Sequence, residues 1–354
     1  MDSMEGFIAI SNYAGMREDL VQAGGGNSSA KCDDGTMYIK ASGYKLSDVN
    51  FEQGYSVVNC KKIEDYFIDR FEKNIVTCSE KELLAEALVS GSRSSIETFL
   101  HAFGKRFTLH THPTVVNIIA CRENWDIILR KLFPTALLVE YTTPGIELAK
   151  KTYEEIKRKN NQFNSIQDVE LIFLQNHGLI VSEETSIEVI EKTESVLRTI
   201  EKYLKLDFKA YHDSTTIYHY LKSFEMQTGI VHYSNDVQIQ KAAASGMWRY
   251  DFCPDCTVYC GKRPLVISND DIKQELSKYL QSDGIPVVIW YKNSCFICGE
   301  NSSKVKEIES VLSFSAQVFL ADSANEIQYL TDEEQSFLIN WDAEKYRRSG
   351  EFKQ

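Results

Sequence analysis

Apolar and polar residues alternate through RFTLHTH (106–112), the pattern of a β-strand. On such a strand Phe107 and Leu109 face one side, while His110 and His112 face the other. TMYIKASG (36–43), YSVVNC (55–60), TALLVEY (135–141) and VELIFL (169–174) predict further strands bounded by turn residues. Helical periodicity alternates with these runs. NYAGMREDLVQA (12–23) reads as a helix stopped by Gly24, Gly25 and Gly26. SEKELLAEALVSG (79–91) opens with a Ser79–Glu82 capping box. A helix is expected from Ser95, with Ile96, Phe99, Leu100 and Phe103 as its apolar stripe. ELAKKTYEEIKRK (147–159) and SIEVIEKTESVLRTIEKYLK (186–205) predict two more. The links are too tight for every strand pair to be a parallel crossover, so a mixed or antiparallel sheet packed by helices is expected.

Past about residue 234 the texture changes to CPDCTVYCGKRPLVI, PVVIWYK and SCFICGE, followed by a helix from Ser303 to about Leu320. The final helix, TDEEQSFLINWDAEKYRR, begins with acids and ends with bases, as the helix dipole favours. The expected organisation is a first domain over 1–233 and a smaller α/β unit over 234–354. No internal repeat is visible.

Composition narrows the function. With 39 Lys and Arg against 51 Asp and Glu, the net charge is −12, which argues against a nucleic-acid partner. No run approaches the roughly 18 apolar residues of a membrane span, and the N-terminus lacks a signal-peptide pattern, so a cytoplasmic protein is expected. Nine Cys in that setting are expected as reduced thiols. CPDC (253–256) and CFIC (295–298) are two pairs of the kind found in zinc ribbons. Their separation is about twice the usual one, and strand alternation puts Cys295 and Cys298 on opposite faces. Plain thiols are therefore expected over a structural zinc.

The chemistry concentrates in SSIETFLHAFGKRFTLHTHP (94–113), which holds three of the seven His. Two imidazoles on one strand face begin roughly 6–7 Å apart and can converge on one ion. FLQNHGLIV (173–181) offers a third, His177, in a tight turn after a buried strand, with Gly178 relieving the backbone. Three neutral imidazoles with a position left open match a catalytic rather than a structural metal site. Glu97, in the first turn of its helix, can abstract a proton next to a metal-bound carbonyl, the metal stabilising the enolate. The dipole and the metal both favour its ionised form. His101, four residues on, is expected to be structural and hydrogen-bonded near the site.

GGGNSSAK (24–31), IKASG (39–43), SSIETFLHAF (94–103), LHTHP (109–113) and FLQNHGLIV (173–181) stand in the order seen in the class II aldolase/adducin family, which the chain resembles. The family includes fuculose-phosphate and rhamnulose-phosphate aldolases. The likeness is greatest to the aldolase half of bifunctional rhamnulose-phosphate aldolase/alcohol dehydrogenases and continues past residue 250, with no counterpart of the dehydrogenase half in these residues. The resemblance implies a three-layer α/β/α fold and a zinc-dependent lyase of carbohydrate metabolism performing aldol or retro-aldol chemistry through a metal-stabilised enediolate. Its substrate would be a ketose-like, phosphorylated sugar. The implied metal ligands are His110, His112 and His177, with Glu97 as base and Mn2+, Co2+ or Fe2+ as possible replacements for Zn2+. The implied phosphate-binding positions are Gly26, Asn27, Ser42, Gly43 and Ser95. Exposed N–H groups in Gly-rich turns and at a helix start suit an anion. Lys31 and Lys40 either add charge there or are simply solvated. Relatives form ring-like homotetramers, so a homo-oligomer, with a tetramer favoured, is implied.

The chain also departs from the pattern. Ile96 replaces a Ser that would contact phosphate, Cys256 stands where close relatives carry a His, and the tyrosine acid of simple aldolases has no secure counterpart. Tyr141 is a weak candidate that reads better as a strand-end residue. Epimerisation, dehydration or decarboxylation would use much the same three-His site. A non-catalytic adducin-like scaffold would be expected to lack those histidines.

Overall fold

The computed structural model describes residues 2–159, 169–224, 229–247, 249–268, 271–323 and 325–341. The chain divides into two compact units, Met1–Phe208 and Lys209–Gln354. The second unit begins with a helix, Lys209–Ser223, packed on the strand at Ile230–Tyr233, which pairs with the second sheet.

The first unit opens with α1 (Ser3–Gly15), β1 (Asn27–Lys31), β2 (Thr36–Lys40), β3 (Tyr55–Asn59), α2 (Cys60–Phe71), α3 (Glu80–Ala87) and β4 (Leu88–Gly91). It continues with α4 (Thr98–Ala102), β5 (Phe107–Thr111), α5 (Thr114–Ala120), α6 (Trp125–Leu132) and β6 (Leu137–Val139). It ends with α7 (Ile146–Arg158), β7 (Leu171–Leu174), β8 (Gly178–Glu183) and α8 (Ser186–Leu204). The strands form one sheet in the order β4-β3-β2-β1-β5-β8-β7-β6. β6 and β7 are the parallel pair and the other neighbours run antiparallel, the mixed sheet the tight links predict.

Helices cover both faces, giving three layers. α8 packs against α1 and α5, and these helices contact strands β1, β5 and β8. On the other side α2 packs on β2, α4 and α3, and α7 packs on α4 and β6. Burying both faces of the central strands against these helices supplies the main hydrophobic stabilisation. One core joins Met37, Ile39 and Val58 of the sheet to Phe67, Phe99, Leu148 and Tyr153 of the helices. α8 shows why sequence periodicity works where packing is regular. Thr185 and Glu188 close a capping box, and Val189, Ile190, Val196, Leu197 and Ile200 form its buried stripe.

Two expected helices come out differently. The first ends at Gly15, and residues 16–26 run on as turns. Arg17 makes a bidentate pair with Asp19, at 2.9 and 2.6 Å, and residues two apart do not share a helix face. Arg17 also bonds to Glu194 of α8, to which Tyr13 donates at 2.7 Å. Arg17 is wholly buried, so its charge requires these partners. The helix expected from Ser95 begins at Thr98, and Ile96, half exposed, lies outside the buried stripe.

The second unit contains α9 (Lys209–Ser223), β9 (Ile230–Tyr233), α10 (Val237–Ala244), α11 (Pro254–Cys260), β10 (Leu265–Ile267) and α12 (Ile272–Asp283). It closes with β11 (Val288–Tyr291), β12 (Ser294–Gly299), α13 (Ser302–Ala321) and α14 (Asp332–Asn340). Its sheet order is β10-β11-β12-β9. The basic end expected for the last helix falls outside the described residues. Among the described residues no helix is long and apolar enough to cross a membrane.

Candidate metal centre and anion-binding turns

The site is built on the middle of the first sheet. His110 is on β5, opposite Asn27 of β1 and Ile180 of β8. His112 lies one residue past the strand end, where its N–H donates to the Leu20 carbonyl at 2.8 Å. The neighbouring Thr114 N–H donates to the Asp19 carbonyl, also at 2.8 Å. The turn stretch held by the Arg17 ion pairs is thus what fixes the main chain on either side of Pro113.

His177 sits in the three-residue turn between β7 and β8. The left-handed position is Asn176, at φ 54°, rather than the expected Gly178, and Asn tolerates that region better than most residues. Gly178 is needed for close approach instead. A Cβ there would lie 2.2 Å from the Thr111 carbonyl oxygen and 3.1 Å from the His112 ring. Asn117 of α5 donates to the His177 carbonyl at 3.1 Å, and the Asn176 N–H donates to the Ala120 carbonyl. α5 therefore braces the turn from behind.

The three rings meet. Their centroids are 4.8–5.0 Å apart, and their candidate ligand atoms lie within 4.8 Å of one another. His110 Nε2 is 2.9 Å from His112 Nε2. One proton can bridge that pair but leaves a third nitrogen lone pair aimed at the same space. A divalent cation satisfies all three, so the donor set fits such an ion. Among the described residues this is the one group of three or more His, Cys, Asp or Glu close enough to hold a metal.

Burial pushes all three imidazoles toward the neutral, ligating form. His110 is driven well below its ordinary pKa by burial and then by His112 and His177. His112 is pushed down to about 4, by burial first and then by His177 and Lys40. Burial also lowers His177.

Glu97 occupies the N-cap position of α4, one place before the helix and without a capping bond from its side chain. Its Oε1 is 3.8 Å from His110 Nε2 and 3.7 Å from His177 Nε2. Burial raises its pKa, opposed by the Lys40 charge and a hydrogen bond from the Asn27 side chain. Lys40 and Asn27 favour the ionised form, and burial acts more strongly against them. A carboxyl poised above its usual range is closer to the pKa a general base or acid needs.

Of the residues expected to bind phosphate, Asn27 and Ser95 contact Glu97. Gly26 adopts φ 74°, and a Cβ on it would lie 2.9 Å from the His110 carbonyl oxygen. Asn27 is buried beside Glu97. Ala41 bridges Ser94, which draws the Ser42–Gly43 turn against Ser95. Ser42 and Gly43 are exposed, but the Ser42 N–H already donates to the Arg93 carbonyl, leaving the hydroxyl for a ligand. Ser95 Oγ accepts from the Glu97 N–H at 3.2 Å. Lys40 is not a solvated lysine. It is 4 % exposed, with its ammonium donating to the carbonyls of Tyr44 at 2.7 Å and Gly24 at 3.4 Å. It ties two of the turns together and sets a positive charge near Glu97. Lys31 reaches the Ala102 carbonyl at the end of α4 instead. Tyr141 is 58 % exposed beyond β6, as a strand-end residue would be.

His101 is buried behind the centre, its Nδ1 2.8 Å from Ser29 Oγ, and burial pushes its pKa down to about 3. The unfolded chain accepts a proton on this ring below about pH 6.5, whereas the fold refuses it until about pH 3. Between those values the unfolded state binds more protons, so stability is lost as pH falls and is at its plateau above about 6.5. The limiting slope is about 1.4 kcal/mol per pH unit for one histidine. Urea unfolding of metal-stripped protein from pH 8 to 5 should show this fall, and His101→Gln should make it shallower. A stability that rises on acidification would contradict the assignment.

The model of the Class II Aldolase and Adducin N-terminal domain matches residues 7–204. A Bacillus subtilis (strain 168) protein, the uncharacterized oxidoreductase YuxG, is 28% identical over 215 residues. That match covers 57% of this chain and 29% of YuxG. The chain is also similar to the N-terminal class II aldolase domain of a conserved Thermoplasma acidophilum protein, at 23% identity and a TM-score of 0.47, covering 57% of this chain and 94% of that one. A sugar-phosphate aldolase from Thermotoga maritima is similar at 14% identity and a TM-score of 0.43, with 57% and 94% covered. The family match spans more than half of the chain and contains each of the centre's side chains, and the chain belongs to the class II aldolase and adducin family.

Proposed function

We propose that this protein is a zinc-dependent carbon–carbon lyase that cleaves, or in reverse forms, a ketose-like phosphorylated substrate. The observation that carries this reading is Glu97. A buried carboxyl with a raised pKa stands within 4 Å of two of the three converging imidazoles, beside turns suited to an anion. His110, His112 and His177 would hold a divalent ion, which would supply Lewis-acid stabilisation for the negative charge that develops on the substrate's carbonyl oxygen. In the condensing direction Glu97 removes the proton from the carbon next to that carbonyl. In the cleaving direction it returns the proton to the same carbon. Lys40, Asn27 and the turns at Gly26 and Ser42–Gly43 hold the phosphate end, so that the reacting carbon stays in reach of the carboxylate. Assembly as a homo-oligomer belongs to the same reading.

The test is a metal-replete assay against phosphorylated and free ketoses, scored by aldehyde release. Aldehyde from a phosphorylated ketose, with weaker release from its free counterpart, is the expected result. An inverted sugar without aldehyde would make the protein an epimerase, and release of CO2 a decarboxylase.

A further inference from the structure

The second unit carries a pair of thiols that the aldol chemistry does not use. Cys253 is the N-cap residue of α11, and Cys256 lies on its first turn. Their Sγ atoms are 2.9 Å apart. Cys253 is partly exposed, whereas Cys256 is fully buried. Cys256 Sγ is also 2.9 Å from Ser315 Oγ on α13, and the Ser315 hydroxyl donates to the Val311 carbonyl at 2.9 Å. Either sulfur can be the donor in the Cys253–Cys256 contact, and either the thiol or the hydroxyl in the Cys256–Ser315 contact. The dithiol is held with its sulfurs already touching, one open to solvent and one behind it.

We propose that Cys253 and Cys256 form a reversible redox pair, closing to an intramolecular disulfide by exchange with a small external disulfide. Cys253, as thiolate, attacks one sulfur of the external disulfide and expels one thiolate, leaving a mixed disulfide on Cys253. Cys256 then loses its proton and attacks the Cys253 sulfur, expelling the second thiolate. Two protein thiols and one external disulfide become one protein disulfide and two external thiols, with two electrons passing outward. The order follows from the geometry, because only Cys253 is reachable. Burial pushes the Cys256 thiol up to about 12, which keeps it protonated and unreactive until the mixed disulfide on Cys253 lies against it.

The pair differs from the other thiols of this unit. Cys295 and Cys298 are buried on β12, and Cys260 is buried on α11 with its Sγ directed to the Ile308 carbonyl.

The experiment equilibrates the full chain, metal-loaded, with glutathione and glutathione disulfide at graded ratios. Free thiols are then trapped with an alkylating reagent, and the 253–256 peptide is weighed. The expected result is joint loss of both thiols with a gain of one internal bond, at a single midpoint ratio. Cys256→Ser should stop at the mixed disulfide on Cys253, and Cys253→Ser should give no adduct at position 256. A wild-type peptide that keeps two alkylatable thiols at every ratio would overturn the proposal. So would a mixed disulfide on Cys253 that persists with Cys256 intact. Circular dichroism on each variant checks that a loss of exchange is not a loss of fold.

Discussion

His110→Ala/His112→Ala is expected to lose its bound metal and all measurable turnover while remaining folded. The two rings face one space, and the third, His177, cannot hold a divalent ion alone. Each single substitution, including His177→Ala, should lower metal affinity by more than the roughly 10–100-fold typical of losing an outer-shell partner. Folding should survive because the sheet does not depend on these side chains. His110 contributes to the β5 ladder through its backbone, and His112 is tied through its N–H to Leu20, a bond that Ala keeps. Elemental analysis after dialysis, with circular dichroism on the same samples, reads both halves of the expectation. A double variant that retains one equivalent of metal would remove the three imidazoles from the proposed role.

Glu97→Gln separates binding from proton transfer. The amide preserves shape and can still accept from Asn27, but it cannot take a proton. Metal content and stability should be unchanged and turnover should fall by roughly 10²–10⁴. A purely structural part for Glu97 as a helix cap finds no support, since its side chain makes no capping hydrogen bond. The decisive measurement is exchange of the substrate's α-proton with solvent. Wild-type exchange in Glu97→Gln would show that another group moves the proton.

Much of this site can be read from the chain because its parts are local. His-x-His on an alternating strand and a His in a tight turn after a buried strand are short patterns with fixed geometry, and the structure brings all three rings together. The capped helices are legible for the same reason. What the sequence hides is whatever depends on distant partners. Lys40 reads equally well as solvated or bound, and only the fold buries it between Tyr44, Gly24 and Glu97. Asn117 carries no signal at all, because it acts on the His177 backbone from another helix. The misplaced first helix has a related cause. MRED looks like an exposed helical turn, yet Arg17 and Asp19 are buried and paired. Periodicity treats charge as a mark of solvent, and here charge is interior.

That interior charge has a consequence for the order in which the molecule can assemble. Arg17 and Glu194 are separated by 177 positions, and Leu20, which receives the His112 N–H, lies in the stretch they anchor. Such a contact closes a very long loop and tends to form late in folding. A chain growing from its N-terminus has all three histidines of the proposed metal set available once His177 has emerged, but the clamp on Leu20 only after Glu194 follows. Capture of the ion is therefore expected to be a late event, after α8 docks on α1. The free energy of that capture then stabilises the contacts between the two ends of the unit.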